Sequence, residues 1–586
     1  MSSRISPIQT FHPITCFPNS SSIGGTPTGL IGISSGEERG YSSMNREDPG
    51  GFWLLLVALA ALIPSIWLES SLTGGDEHRI SFRTALETAD SEDWTIPTYN
   101  GEPRPRKPPL YYWALAATTE WFGATPFSLR IWGVLCGALL AVLVARWGQR
   151  ICGADPLLTF LIMLSTIGLA TESRRAMLDI PMTLFLLISM KQIYEWKQTG
   201  QLAPIIKGAA FLAIASLIKP TAPYFAATGI ATLFIFQRQE DDPRPGFMRM
   251  IQGALLGVVV FLAIFLPWWL HALSEHRELL LSRLDEQVER REFSGIKTES
   301  IPSLLGGLFG LIAPWSIAAL AALFHFLKKP GEGLLRPERW LVVWIILSAI
   351  PFLFMKTFER YLIPILPAMA ILVSSYLDSV SMNKRQGQLL ISAFLISLPA
   401  VVLGFVVGWF FAPWMGVMTA LVLFWLWRVA RRADAINTAL TITIVNAILL
   451  GLLLPALGIG ANPDLPRDVT SKTILQVGSQ HLPLLDLRLQ SPVPVISIAS
   501  LGNSIPSEKC YLVISQADLP DVMATLKNTQ RDGKIYSTFG VLRSRKTFTR
   551  FARPGSTRED WIQAFEARSL EQLKSPCVLL EVAPND

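Results

Sequence analysis

Asp76 and Glu77 stand side by side, followed by His78 and Arg79, at the head of the first long polar segment of the chain. Arg106-Lys107-Pro108-Pro109-Leu110-Tyr111-Tyr112-Trp113 closes the same segment. A carboxylate of this kind can take a proton from an attacking hydroxyl, and fixed cations beside it can stabilise a departing phosphate. The segment begins directly after the first long apolar run, residues 52–68, which sets this charge at a membrane face. Charge there is costly and is retained where it does something, so chemistry on a lipid phosphate is the expectation. An Asp-Glu pair in a loop is more often simply solvated. Arg79, Arg106 and Lys107 in the same loop favour the chemical reading here.

Further candidates recur on later turns. Asp179 opens an apolar run just after Arg174 and Arg175. From position alone, complementing a helix dipole explains it as well as a second catalytic acid does. Lys219, in Ile218-Lys219-Pro220, stands between two apolar runs with almost no loop, and Lys356, Arg360 and Tyr361 occupy a similar turn. Each could snorkel to lipid headgroups or hold a phosphate. Glu77 belongs with Asp76 and Asp179 in the candidate catalytic set. His78, His271 and His276 are too few for a defined metal centre, so no cofactor is assigned, although a divalent metal stays open. There is no Gly-rich phosphate loop of nucleotide-binding type.

The elements that must position these residues are helical. Half of the 586 residues are hydrophobic and 16% are charged, against roughly a quarter charged in soluble domains. About thirteen apolar runs approach the length of a membrane crossing, and the sequence reads as an all-α polytopic membrane protein. The spans fall at 52–70, 128–148, 156–171, 179–196, 203–219, 221–237, 249–272, 302–327, 339–355, 360–378, 387–409, 413–430 and 435–457. The short run 108–122, with Tyr111, Tyr112, Trp113 and Trp121, suits a helix lying at the interface. The net charge of +6 says little about nucleic acid, because the cations lie in short loops and set orientation. With the N-terminus inside, cytoplasmic loops gain Arg150, Lys197, Arg238, Arg244, Lys328, Lys329, Lys384, Arg385, Arg431 and Arg432. The short opposite loops carry Arg174, Arg175, Lys219, Lys356 and Arg360, cations that the orientation rule does not favour. The expected location is a cell (inner) membrane, multi-pass, with N-terminus cytoplasmic and C-terminal region extracytoplasmic.

Residues 1–43 are rich in Ser, Gly, Pro and Thr and read as disordered, with Met44 a plausible start. Residues 52–68 resemble an uncleaved anchor more than a secretory signal. The catalytic region is expected at 44–461, with long outside loops at 71–127 and 273–301. Residues 462–586 change character and read as a small α/β domain. Its strands are expected near Pro494–Ile498, Cys510–Ser515 and Cys577–Val582, and its helices at Asp521–Asn528 and Glu559–Leu573. Cys510 and Cys577 could pair in an oxidising compartment or remain two buried thiols.

In this order the landmarks resemble the polytopic GT-C glycosyltransferases, and within them the branch of the lipid A aminoarabinose transferases and bacterial relatives of protein O-mannosyltransferases. The resembling pieces include Asp76-Glu77-His78-Arg79, Asp93-Trp94, Asn100-Gly101-Glu102-Pro103, Lys107-Pro108-Pro109-Leu110-Tyr111-Tyr112-Trp113, Phe122-Gly123 with Arg130, Leu178-Asp179, Lys219, Leu266-Pro267-Trp268, Pro314-Trp315 and Arg360-Tyr361-Leu362-Ile363-Pro364. They span roughly residues 50–380. The resemblance implies a donor sugar on a polyprenyl phosphate, used on the outer face of the membrane, and an acceptor that is a lipid, protein or glycan. It implies Asp76 as main catalytic acid and Asp179 as a second, with Arg79, Lys107 and Arg290 on the donor phosphate and Lys219 and Tyr361 lining the cavity. Two departures stand out: Arg106 where the aminoarabinose transferases have a glutamate, and Gln287 where a later loop carries a histidine. Those family residues are associated with a metal, so zinc is put in doubt and the phosphate pocket becomes more cationic. A transporter or flippase of a lipid-linked molecule is the rival reading, and a scaffold the third. A transporter would be expected to show paired half-chain symmetry or helices interrupted at midplane, and neither stands out in the sequence.

Overall fold

The computed structural model describes residues 50–70, 76–91, 93–105, 107–236, 246–282, 298–328, 337–355, 358–461, 465–466, 468–478, 482, 484–542 and 552–584, with the backbone only of Arg79. The expectation for residues 1–43 lies outside them.

Among the described residues six helices are long and apolar enough to cross a membrane: Pro126–Cys152, Phe247–Glu275, Glu359–Ser379, Met382–Phe410, Pro413–Arg431 and Ala435–Ala456. Their outward residues are large and apolar, for example Leu255, Val259, Phe405 and Phe424. Such a surface is tolerable only in hydrocarbon, and the chain is a multi-pass membrane protein.

Helix starts follow local chemistry. Thr125 caps Pro126–Cys152 by accepting from the Ser128 amide, and Ser128 reciprocates through its own hydroxyl. Asp155 accepts from the amides of Leu157 and Leu158 at the start of Pro156–Ser165. In each case proline occupies the first helical position, where no amide is needed.

Thirteen unbroken spans are not what the apolar runs become. The run 156–171 divides into Pro156–Ser165 and Ile167–Glu172, because Thr166 is extended. The run 302–327 divides into Ile301–Leu305, a wide turn at Gly306–Gly310, and Ser316–Lys328, with a cis Ala313-Pro314 bond between. The two interruptions satisfy each other. The amides of Ile167 and Gly168 donate to the carbonyls of Ala313 and Leu311, both at 2.8 Å. Asn446 donates to the Ser165 carbonyl at 2.6 Å, and the Trp315 indole donates to the Ser165 hydroxyl at 2.9 Å. Backbone can leave the helix at membrane depth only where protein groups replace water in this way.

Between the first helix, Gly51–Leu62, and Pro126–Cys152 lies the segment that carries Asp76. It runs as a π-helical turn at Glu77–Phe82, a short helix at Arg83–Asp90, a hairpin and the helix Leu110–Phe122. The hairpin pairs β1 (Thr98–Tyr99) with β2 (Glu102–Pro103). Its corner is Asn100-Gly101, with φ of 55° and 76°, the left-handed pair that a two-residue turn demands. Leu110–Phe122 was expected as an interfacial helix; Tyr111 and Tyr112 are buried against the bundle and Trp121 and Phe122 are exposed.

The C-terminal region forms a five-stranded sheet. With β3 Thr473–Val477, β4 Val495–Ile496, β5 Cys510–Ser515, β6 Gly533–Val541 and β7 Ser575–Val582, the order is β4-β3-β5-β7-β6. β4, β3 and β5 run parallel, and β7 is antiparallel to both its neighbours. Alternate residues feed two cores: Ile474, Tyr511, Val513 and Leu579 on one face, Leu475, Leu512, Ile514 and Leu580 on the other. The helix Leu519–Asn528 covers the second face through Val522 and Leu526. Cys510 lies opposite Val582 and Cys577 opposite Ser515, at the two ends of the β5–β7 ladder, and both thiols are free and buried. Strand register therefore excludes the disulfide and leaves the alternative of two buried thiols.

Candidate active site

Two acids from distant parts of the chain meet on one arginine. The Arg360 guanidinium lies 2.7 Å from Asp76 through Nη2 and 3.9 Å from Asp179 through Nε. Lys219 Nζ lies 2.5 Å from the other oxygen of Asp179. The Lys219 ammonium also sits 4.4 Å from the centre of the Tyr361 ring, and Arg360 lies over Phe358 at 5.3 Å. Asp76, Asp179, Lys219, Arg360 and Tyr361, all drawn from the sequence, thus form one cluster.

Local structure explains how each arrives. Asp76 precedes the π-helical turn. Such turns are uncommon and concentrate at functional sites. Asp179 is the first residue of the helix Asp179–Thr199. Lys219 is the extended residue that ends Leu202–Ile218. Arg360 and Tyr361 lie in a tight 3-10 turn, Glu359–Ile365, which leads into Leu366–Ser379.

The two acids differ in access. The Asp179 side chain is 2% exposed and Asp76 23%. Asp76 and Arg360 face an approachable space, while Asp179 and Lys219 form a buried pair behind them.

Glu77 goes elsewhere. Its carboxylate accepts from Arg130 at 2.7 and 3.2 Å and from the Ala176 amide at 3.0 Å, wholly out of contact with solvent. Burial alone would raise this carboxyl; Arg130, with His78, outweighs it and holds the group down at about 2. His78 packs beside them, 3.2 Å from Arg130. Burial, with Arg130 adding to it against the pull of Glu77, brings the imidazole down to about 3, so it is neutral at pH 7. This geometry is that of an internal brace, joining the Asp76 turn to the turn before Asp179. The family resemblance marked Arg130 only as one landmark among many; its partner could not be read without the fold.

The helix Pro126–Cys152 makes the brace possible by coming close. A Cβ on Gly133 would stand 2.6 Å from the Ser173 carbonyl oxygen and 2.8 Å from that of Arg175. Gly133 and Gly137 form a small-residue face on which the 173–175 turn rests. Glu172, absent from the sequence candidates, binds Arg175 at 2.6 Å and is a further acid in this neighbourhood.

Lys107 is half-buried in the turn between the hairpin and Leu110–Phe122 and has a polar partner of its own. Arg106, Arg290, Lys356 and the Arg79 side chain lie outside the described residues, as does Gln287. His271 and His276 stand at the end of Phe247–Glu275, whereas His78 contacts Arg130 beside Glu77. Among the described residues no three His, Cys, Asp or Glu side chains come together as a metal site.

The helical bundle and the C-terminal sheet together form a fold found among solved membrane proteins. The fold matches that of ArnT from Cupriavidus metallidurans bound to undecaprenyl phosphate, with a TM-score of 0.66 and 18% identity over 90% of this chain and 97% of that one. The family model for dolichyl-phosphate-mannose-protein mannosyltransferase matches residues 106–271. An uncharacterized protein of Aquifex aeolicus is 27% identical over 305 residues, 51% of this chain and 59% of its own length. The undecaprenyl phosphate-alpha-4-amino-4-deoxy-L-arabinose arabinosyl transferase of Aeromonas salmonicida is 26% identical over 199 residues, 33% of this chain and 36% of its own. The matches thus span less than two thirds of either relative. The resemblance to GT-C glycosyltransferases read from the first loop holds.

Proposed function

We propose that the protein is an integral membrane glycosyltransferase that moves a sugar from a polyprenyl-phosphate donor to an acceptor hydroxyl on the outer face of the cell membrane. The observation that carries this reading is the bridge of Arg360 between Asp76 and Asp179, with Lys219 behind it. It couples a reachable carboxylate to a cationic wall in one place.

In the proposed reaction the acceptor oxygen attacks the anomeric carbon, and the bond from that carbon to the donor phosphate oxygen breaks. The acceptor proton goes to the Asp76 carboxylate, and the polyprenyl phosphate leaves with one more negative charge than it had in the donor. General-base help is worth about 10²–10⁴-fold. Preorganised cations at the growing charge are often the larger contribution. Arg360 and Lys219 supply them, and Lys107, Arg79, Arg106 and Arg290 are assigned to the same phosphate. A phosphate arriving at Arg360 competes with Asp76 for the guanidinium, so donor binding itself releases the base. Single displacement inverts the anomeric centre. Asp179 acts by holding Lys219 and Arg360 in place, and Glu77 by bracing the Asp76 turn. The acceptor class is a lipid, a protein or a glycan.

The test compares extracted lipids and envelope glycans from cells with and without the gene. Loss of one modification with accumulation of a polyprenyl-phosphate sugar is expected, reversed by the wild-type gene and not by Asp76→Asn. Unchanged glycans and lipids, or full rescue by Asp76→Asn, would reject the proposal. Accumulation of the lipid-linked sugar on the inner leaflet alone would indicate the flippase instead.

A further inference from the structure

Arg174 and Arg175, a few residues before Asp179, line a cationic cavity that shares no lining residue with the Asp76 cluster. Its polar wall is made by Arg174, Arg175, Thr171 and Ser70, with Arg130 behind. Its opposite wall is apolar, formed by Leu450, Leu454, Pro455 and Ile459 from the last helix and the loop beyond it.

The polar wall carries an uncompensated charge. Arg130 is matched by Glu77 and Arg175 by Glu172. Arg174, buried, meets carbonyls only: it donates to Ala170 at 2.5 Å and to Ala61 at 2.6 Å. Among the described residues no carboxylate pairs with it. Burial without a counter-charge pulls this guanidinium down to about 10, the reverse of what a carboxylate neighbour would do. The Nε of Arg174 itself and two hydroxyls on the same cavity lining, Thr171 Oγ1 and Ser70 Oγ, are buried without a partner. Buried donors are nearly always satisfied, so a surplus cation with two unpartnered hydroxyls beside it calls for an acceptor from outside the chain.

We infer that this cavity binds the phosphate of an anionic membrane lipid, with Arg174, Thr171 and Ser70 on the phosphate oxygens and the acyl chains against Leu450, Leu454 and Ile459. The apolar wall is what favours a lipid over a free phosphate ion, which would gain nothing from it. The inference does not depend on the proposed reaction, because the lining includes none of Asp76, Asp179, Lys219, Arg360 or Tyr361.

The experiment titrates the purified full-length protein in detergent with dioctanoyl phosphatidic acid, dioctanoylglycerol and inorganic phosphate, read by native mass spectrometry. Phosphatidic acid is expected to bind at least about tenfold tighter than either of the others. Arg174→Gln should remove most of that preference and Arg174→Lys should keep part of it. Because Arg174 also caps two helix ends and its Gln variant can fail to fold, Leu454→Trp provides a second arm. It fills the apolar wall, leaves the guanidinium intact, and should weaken phosphatidic acid by at least about tenfold. Arg360→Ala should leave this binding unchanged. Equal binding of the charged and neutral glycerolipids would overturn the inference, as would inorganic phosphate binding as tightly as phosphatidic acid. Insensitivity to Leu454→Trp, or loss of binding in Arg360→Ala, would do the same.

Discussion

Replacing either member of the Asp179–Lys219 pair tests the division of labour at the site. The pair is 2.5 Å apart, with side chains 2% and 9% exposed. Removing one partner of a buried ion pair costs about 3–5 kcal/mol, since the other charge stays behind without solvent. The two deletions are not equivalent. Asp179→Asn leaves two cations, Lys219 and Arg360, converging on an uncharged amide, and should fall at the upper end of that range. Lys219→Met leaves Asp179 with Arg360 at 3.9 Å and with the N-terminal dipole of its own helix, and should fall at the lower end.

The double variant should cost less than the sum of the singles, with a coupling of about 2 kcal/mol or more. Unfolding in mixed micelles at rising SDS fraction measures all three. Both single variants should also lose transfer, Asp179→Asn because Arg360 is no longer held between two acids and Lys219→Met because a cation of the phosphate wall is gone. Either single variant unfolding within about 1 kcal/mol of wild type, or a coupling near zero, would refute the claim that Asp179 acts by holding cations.

Asp76→Asn should reduce transfer by at least about 10²-fold while leaving unfolding within about 1 kcal/mol of wild type, since that carboxylate is partly exposed; in vitro transfer and the same micelle titration check it. Gly133→Ala should destabilise by about 1–3 kcal/mol and lower activity, because the new methyl meets backbone oxygens that cannot swing aside; Gly137→Ala provides a second reading of the same face. Stability should fall as pH drops below about 6.5, where the unfolded chain protonates His78 and the folded chain, with His78 at about 3, does not. Glu77 adds to the fall below 4.5, because its stabilising charge, held to about 2 in the fold, is also the form lost in acid. His78→Gln should flatten the curve between pH 5 and 6.5, where the imidazole accounts for about 2 kcal/mol.

What the sequence disclosed follows from which interactions are local. Apolar runs, helix caps and the cations in short loops between apolar runs are written in consecutive residues, and they pointed to Asp76, Asp179, Lys219, Arg360 and Tyr361. Partnerships across 53 or 281 residues are not written that way. Arg130 with Glu77, and Asn446 with the interrupted helix at Ser165, become visible only when the elements pack. Glu77 was grouped with Asp76 because the two are adjacent, yet the turn sends one side chain to the accessible space and the other inward. The Asn100-Gly101 hairpin was legible from its dipeptide and its strand-forming flank, but was read only as part of a family landmark. The breaks at Thr166 and Pro314 were hidden by uniformly apolar surroundings, where hydropathy continues although the helix does not.

The sheet region has a reason to be attached to this site. Arg83, at the start of the helix after Asp76, donates to Asp486 at 3.1 and 3.2 Å and to the Val493 carbonyl at 2.9 Å, all within the C-terminal region. It also pairs with Glu87, whose carboxylate in turn receives the Thr98 hydroxyl and the amides of Asn100 and Gly101. A chain of charge-assisted bonds therefore runs from the sheet region to the hairpin that leads into Lys107. Arg488 on Glu69 and Gln490 on the backbone of Ala124 tie down both ends of the same segment. The sheet region thus fixes the loop bearing Asp76 and Lys107 without supplying a residue to the Asp76–Arg360–Asp179 cluster. Arg83→Ala strands Asp486 and Glu87 in a buried setting, and a loss of about 3–5 kcal/mol is expected from the pairing alone. Its signature is spatial: amide exchange should rise in residues 76–103 and in 484–495 together, with the membrane helices protected as before. Exchange rising in only one of the two segments would show that they are not held by this contact.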